Sequence, residues 1–317
     1  SILKNKMIII TGPTASGKSD IAINIAKKIN GQVISADSQQ VYREMDIGTN
    51  KVIDPNVVNH HLLNMVNPNE EFSVDDFKKD SEEIISILNP RQIMPIVTGG
   101  TGFYIDSLLF DMNYGQVKKD NKIRENLQNQ ANTHGKEYLY KKLKGIDPDT
   151  AKKYHPNEVN RIIRALEIYE ITGEKPSDKR TGERKLKKNI EPMLFFLNYN
   201  DRQILYDRIN DRVNDMINLG LIDEFKYLVD KYNLNEDSQS MAAIGYKEIF
   251  PYIKGEISLD EMINLIQRNT RRYAKRQVTW MKRYLNYSFT REIMMDNLSK
   301  DDASMVIEDL IKDMYEF

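Results

Sequence analysis

The chain has 317 residues, 40% hydrophobic and 29% charged, a formal net charge of -1 and no cysteine. That composition allows one large core or two unequal ones, and it excludes disulfides, thiolate metal sites and cysteine nucleophiles. No apolar run approaches the roughly 20 residues that would span a bilayer, and no signal peptide or anchor is visible, so a soluble protein in a reducing cytoplasm is the expectation.

Over about the first hundred residues, short apolar runs alternate with amphipathic stretches, which predicts a parallel sheet with crossover helices. "MIIIT" reads as a central strand and "SDIAINIAKKI" as a helix. Between them, Gly12, Pro13, Thr14, Ala15, Ser16, Gly17, Lys18 and Ser19 complete the pattern G-x-x-x-x-G-K-[ST]. Such a loop wraps a diphosphate in backbone N–H groups at a helix N-terminus, with Lys18 as a mobile cation and Ser19 as a ligand of Mg²⁺. It implies affinity for a diphosphate, not hydrolysis.

"QVISAD" predicts a second strand that delivers Asp37 to its carboxyl end, where open parallel sheets bind ligands. A carboxylate there can ligate magnesium, position a nucleophile, accept its proton, or simply cap the next helix. Ser38 and Gln39 add groups able to hydrogen-bond a base edge. "QIMPIVTGG" predicts a third strand, with Pro95 either weakening that reading or putting the strand near the sheet edge. The glycines of "VTGGTGFY" suggest a second ligand-contacting loop around Thr101. His60 and His61 are neighbours that point apart, so packing is favoured over a shared metal; His134 and His155 read as solvated.

From 111 to 189 strand patterns give way to helical ones, which predicts an inserted all-helical domain between the core segments 1–110 and 190–317. In "NEVNRIIRALEIYEITG", Val159, Ile162, Ile163 and Leu166 form one stripe while Arg161 and Arg164 share another face, either as a phosphate clamp or as a solvated surface. "PMLFFLNYN" should return the chain to the sheet, with long helices from there to the end. Arg208 and Arg212, four apart, place at least one cation where it could reach a leaving diphosphate.

The net charge hides two basic zones. Residues 175–188 hold seven Lys or Arg against two acids, and residues 268–283 hold seven and no acid, offset by six acids and one lysine in 301–317. In the second zone Arg271, Arg272, Lys275 and Arg276 are interleaved with Tyr273, Trp280 and Tyr284, a mixture suited to a nucleic-acid backbone and to base stacking, although a lone tryptophan such as Trp280 is more often core.

Together, "GPTASGKS", "SADSQQVYREMDIGT", "HHLLNMVNPNEEFSVDDF", "VTGGTGFY", "NRIIRALEIYEITG", "MAAIGYKE" and "RRYAKRQVTW" closely resemble the tRNA dimethylallyltransferase (tRNA isopentenyltransferase) family, bacterial type, from about Ile8 to Met281. The resemblance implies a P-loop NTPase-like α/β fold with parallel sheet and flanking helices. It also implies transfer of the dimethylallyl group from dimethylallyl diphosphate to N6 of the adenosine immediately 3′ of the anticodon, with Mg²⁺, by an enzyme taken to be monomeric. Asp37 would then be the general base. Lys18, Ser19 and Thr101 would surround the diphosphate, assisted by Arg208 or Arg212. Asp37, Ser38, Gln39, Gln40, Asn160, Arg161 and Arg164 would fall in segments that contact the tRNA anticodon stem-loop. The phosphate loop alone would equally suit a small-molecule kinase, and the basic zones alone a non-catalytic RNA-binding protein.

Overall fold

A computed structural model of the protein describes residues 3–52, 54–111, 118–173, 175–179 and 184–315. In chain order it contains β1 (Asn5–Thr11), α1 (Lys18–Ile29), β2 (Gly31–Ser35), β3 (His60–His61), α2 (Val74–Leu88), β4 (Met94–Gly99) and α3 (Gly102–Leu109). The helices α4 (Asn121–His134), α5 (Lys136–Ile146), α6 (Pro148–Ala151) and α7 (Val159–Thr172) follow. The chain then forms β5 (Ile190–Asn198), α8 (Arg202–Leu219), α9 (Leu221–Tyr232), α10 (Ile249–Ile253), α11 (Leu259–Met281), β6 (Thr290–Met294) and α12 (Lys300–Met314). Contacts divide it into two units, one running through Leu109 and resuming at Lys187, the other spanning Phe110–Leu186.

The first unit is built on a six-stranded parallel sheet in the order β3-β2-β4-β1-β5-β6. Its central strand reads Met-Ile-Ile-Ile because β1 is covered on both faces, and Met7, Ile8, Ile9 and Ile10 are all buried. On one face Ile21 and Ile25 of α1 and Ile307 and Ile311 of α12 pack against Ile8, Ile10 and Phe195. Local signals set the helix ends. Ser73 accepts from the Asp76 N–H while Asp76 accepts from the Ser73 N–H, a capping box that starts α2, and α1 stops where Asn30 turns left-handed.

Two expectations change. Pro95 lies in β4, an interior strand between β2 and β1. The Met94 N–H bonds back to Asn30 beside β2, so by alternation the missing N–H of Pro95 faces β1, whose ladder with β4 begins only at Ile8↔Ile96. Before that point the side-chain amide of Asn89 serves β1 instead, accepting from the Lys6 N–H and donating to the Lys6 carbonyl. The closing stretch is also not wholly helical, since β6 pairs with β5. At the other edge His60 and His61 form a two-residue strand paired with β2.

In the second unit Leu127, Leu139, Leu143, Ile162, Ile163 and Leu166 are buried together, joining α4, α5 and α7 into a small apolar core. Glu167 is buried there as well. It accepts from Arg124, from the Asp120 N–H and from Arg164. Burial pushes its carboxyl up, and these bonds outweigh that and hold it below its ordinary range.

Candidate active site

β1, β2 and β4 end flush, with Thr11 opposite Gly99 and Ser35 opposite Thr98. The loops that carry the candidate residues therefore leave the sheet side by side. The phosphate loop closes with the Ser16 N–H bonded to the Pro13 carbonyl. Ala15 and Gly17 both have positive φ, at 67° and 89°. The second suits glycine, while the first holds a Cβ-bearing residue in the left-handed region. Gly17 caps α1 without a side-chain hydrogen bond, so no side chain competes with an anion for the helix's first amides. The Ser16 hydroxyl is buried without a partner, an orphan that an anionic oxygen in the loop would satisfy.

The cations around this loop reach neutral oxygens. Lys18 Nζ donates to the Pro13 carbonyl at 3.4 Å, Arg212 to the Thr14 hydroxyl at 3.4 Å, and Arg208 Nε to the Ala15 carbonyl at 2.9 Å. Arg208 and Arg212 of α8 thus both touch the loop, because residues four apart share a helix face. Burial is the main reason that the Lys18 ammonium falls from 10.5 to about 8; the Arg212 charge lowers it further and Asp37 opposes this. Arg212 falls to about 10, again mainly through burial, with Asp37 opposing and Arg208 adding to it. The site thus concentrates positive charge whose cost an anion would relieve.

Asp37 follows β2, and its Oδ1 accepts from the Gln39 N–H at 2.8 Å and the Gln40 N–H at 3.3 Å. That is the turn-capping role, and it fixes the carboxylate while leaving Oδ2 for other chemistry. Thr101 sits beside it, its hydroxyl oxygen accepting from the Ser38 N–H at 3.0 Å while its own N–H reaches the Ala36 carbonyl. Phosphate loop, Asp37 turn and Thr101 loop are thus one cluster. The side-chain carbonyl of Gln39 is buried and unpartnered. Gln40 requires correction: it is buried, and its amide is used internally by the Ser35 hydroxyl and the Thr49 carbonyl, so its side chain does not present itself to a ligand.

Along α11, Arg272, Lys275 and Arg276 are exposed, and Arg276 lies over the Tyr273 ring. Arg271 instead turns toward α8 and donates to Asn210 at 2.7 Å, which corrects its placement among the outward cations. Trp280 is only partly buried, lying against Phe103 with Arg283 over its ring, so it is not a core residue. In the helical unit Asn160 is exposed, while Arg161 pairs with Glu158 and Arg164 with Glu167, each three residues away. The middle of the first basic zone, 180–183, lies outside the described residues. His60 Nδ1 faces the carbonyls of Pro55 and Val58 and His61 Nε2 faces Gln32, and among the described residues no group of three or more His, Asp or Glu could hold a metal.

Two contributors went unnoticed in the sequence. The Gln277 side chain accepts from the Thr14 N–H and donates to the Gly100 carbonyl; its signal was a polar residue on the apolar stripe of Met262, Ile266, Ala274 and Met281. Glu224 accepts from the N–H groups of Asp46, Ile47 and Gly48 and from the Tyr246 hydroxyl, which pins the loop after the Asp37 turn. No local pattern announces that contact.

A parallel sheet whose central strand runs into a complete phosphate loop, with the candidate residues gathered at the strands' carboxyl ends, defines a protein of the P-loop NTPase-like fold. A model of the IPP transferase family matches residues 40–284, and one for isopentenyl transferase matches residues 5–63. The chain belongs to the IPP transferase family, a family of transferase enzymes. It is 49% identical over 296 residues to a tRNA dimethylallyltransferase of Thermoanaerobacter sp. (strain X514), covering 92% of both, and 46% identical over 317 residues to one of Alkaliphilus oremlandii (strain OhILAs), covering 98% of this chain and 97% of the relative. Among solved structures it resembles the tRNA isopentenylpyrophosphate transferase of Bacillus halodurans, with a TM-score of 0.71, 39% identity and coverage of 98% and 96%. It also resembles a eukaryotic dimethylallyltransferase captured in crystallographic snapshots acting on tRNA, with a TM-score of 0.73, 31% identity and coverage of 98% and 80%. No helix among the described residues is long and apolar enough to cross a membrane.

Proposed function

We propose that this protein, acting as a cytoplasmic monomer, transfers the dimethylallyl group of dimethylallyl diphosphate to N6 of the adenosine immediately 3′ of the anticodon in tRNA, giving N6-isopentenyladenosine and diphosphate. The observation that carries the reading is the convergence of Lys18, Arg208 and Arg212 on a complete phosphate loop beside the Asp37 carboxylate. An adenine amine is a weak nucleophile, so the allylic carbon must be made electrophilic by stabilising its leaving group. The cations and the α1 amides hold the diphosphate. The amine lone pair forms the new N–C bond as the C–O bond to diphosphate breaks, diphosphate leaves with that electron pair, and the amine proton passes to Asp37 Oδ2. Thr101, beside Asp37, lines the same pocket.

Ser19, in the first turn of α1, would hold Mg²⁺ together with diphosphate oxygens. This fits an ion that keeps several of its waters and takes few protein ligands beside phosphate oxygens. When bound, the ion would neutralise charge on the leaving group. The target base is stacked in its loop and must be flipped out to meet Asp37. Ser38, Gln39, Asn160, Arg161, Arg164, Arg272, Lys275 and Arg276 are the proposed tRNA contacts, and the inserted helical unit is proposed to grip the anticodon stem-loop. Purified protein incubated with tRNA, Mg²⁺ and labelled dimethylallyl diphosphate should label the tRNA without any nucleoside triphosphate. A strict need for ATP would overturn the reading in favour of a kinase.

A further inference from the structure

We propose that Gln277 is a positioning residue for the transfer reaction, setting the spacing between the phosphate loop and the Thr101 loop; the inference rests on the function proposed above. Gln277 is 6% exposed. Its Oε1 accepts from the Thr14 N–H at 2.9 Å and its Nε2 donates to the Gly100 carbonyl at 3.2 Å. The two partners fix the amide's orientation, since only an oxygen can face the N–H and only the NH₂ can face the carbonyl. Each partner adjoins a group of the site. Thr14 also supplies the hydroxyl that receives Arg212, and Gly100 precedes Thr101, which receives the Ser38 N–H beside Asp37. A single amide therefore ties the residues holding the diphosphate to those flanking the base.

Two further contacts support a seat for α11 at this point. One turn on, the Met281 sulfur lies 3.7 Å from the Thr11 hydroxyl, whose proton goes to the Gly99 carbonyl at 2.8 Å, so the helix also meets the end of β1. The approach at Gly100 is close enough that a Cβ there would stand 2.2 Å from Gln277 Nε2. Gly100 is a glycine because the amide occupies that space. A carboxylate at 277 would still accept from Thr14 but would set an acceptor against the Gly100 carbonyl, driving the loops apart.

The test compares Gln277→Ala, Gln277→Glu, Gly100→Ala and the Gln277→Ala/Gly100→Ala double variant in steady-state transfer and tRNA binding. Misplacing a site by about 1 Å can cost on the order of 10²-fold. Accordingly kcat/KM for dimethylallyl diphosphate should fall by about 10-fold in Gln277→Ala and about 10²-fold in Gln277→Glu and Gly100→Ala, with tRNA affinity within about twofold of the parent. The double variant should be no worse than Gln277→Ala, because removing the side chain removes the clash. Should Gln277→Ala not fold, Gln277→Met keeps the length without either hydrogen bond, and as a single variant it should show the same loss of kcat/KM with tRNA affinity kept. Parent-like turnover in the folded Gln277 variants, or additive losses in the double variant, would overturn the proposal. An unmodified protein that fails to prenylate tRNA would instead overturn the functional reading.

Discussion

Cations are spent differently in the two units. In the sheet unit, Lys18 and Arg212 are drawn toward the loop, where among the described residues they donate to carbonyl and hydroxyl oxygens, and both give up their proton more easily than usual because burial outweighs the opposing charge of Asp37. In the helical unit Arg124 and Arg164 meet a buried carboxylate, Glu167, which they hold ionised. The first arrangement costs stability and prepares a place for an anion; the second stabilises its own fold. The difference separates the two sets of cations by their partners rather than by residue type, and it is the ground for proposing the first set as ligand contacts.

The largest expected effect lies beside the loop cations. Asp37→Ala should lower single-turnover transfer by about 10² to 10⁴-fold while leaving tRNA binding near normal. Parent-like single turnover would remove Asp37 as the base. Lys18→Ala and Arg212→Ala should each lower kcat/KM for dimethylallyl diphosphate by about 10 to 10²-fold, as loss of a charged hydrogen bond implies, again with tRNA affinity kept. If either variant lost tRNA affinity instead, the division between the two sets of cations would fail.

The pH dependence follows from Lys18. Its folded value of about 8 lies below the ordinary 10.5, so between those pH values the unfolded chain holds a proton that the folded chain has released. The buried charge thus costs stability below about pH 8, and this cost is relieved as pH rises toward 10.5. Binding runs the other way, because a diphosphate favours the charged amine. The KM for dimethylallyl diphosphate should rise above about pH 8, by at most about tenfold per pH unit, and a flat profile from pH 7 to 9.5 would contradict the role of Lys18.

The smallest effects concern RNA. Each phosphate contact removed from Arg161, Arg272, Lys275 or Arg276 should flatten the slope of log affinity against log salt by about 0.7 to 0.9. Arg164→Ala should flatten the slope likewise and have a second effect. It takes one partner from Glu167, so it should lower the stability of the helical unit by about 1 to 2 kcal/mol, discounted for its partial exposure. Thermal melts beside salt titrations would separate the two behaviours.

What could be read from the sequence was what is local to it. The phosphate loop, Asp37 and Thr101 each follow an apolar strand directly, and a strand followed by a glycine-rich turn carries its own meaning. Gln277 is 263 residues from Thr14, so only the folded chain brings them together. Pro95 misled because the compensating group, Asn89, reaches β1 through a side chain rather than through the ladder. β6 escaped because five residues paired on one side give too short an alternation to stand out among helices. Arg271 and Gln40 have the right residue type for RNA contact, but helix rotation and burial point both inward.

The claim at the centre of this account is that the phosphate loop holds a leaving group intact. The most direct measurement is the stoichiometry of phosphorus products released as tRNA is prenylated from dimethylallyl diphosphate with no nucleoside triphosphate present. The account expects one inorganic diphosphate per modified adenosine and no orthophosphate; orthophosphate released in step with turnover, or phosphate transferred to the tRNA, would contradict it.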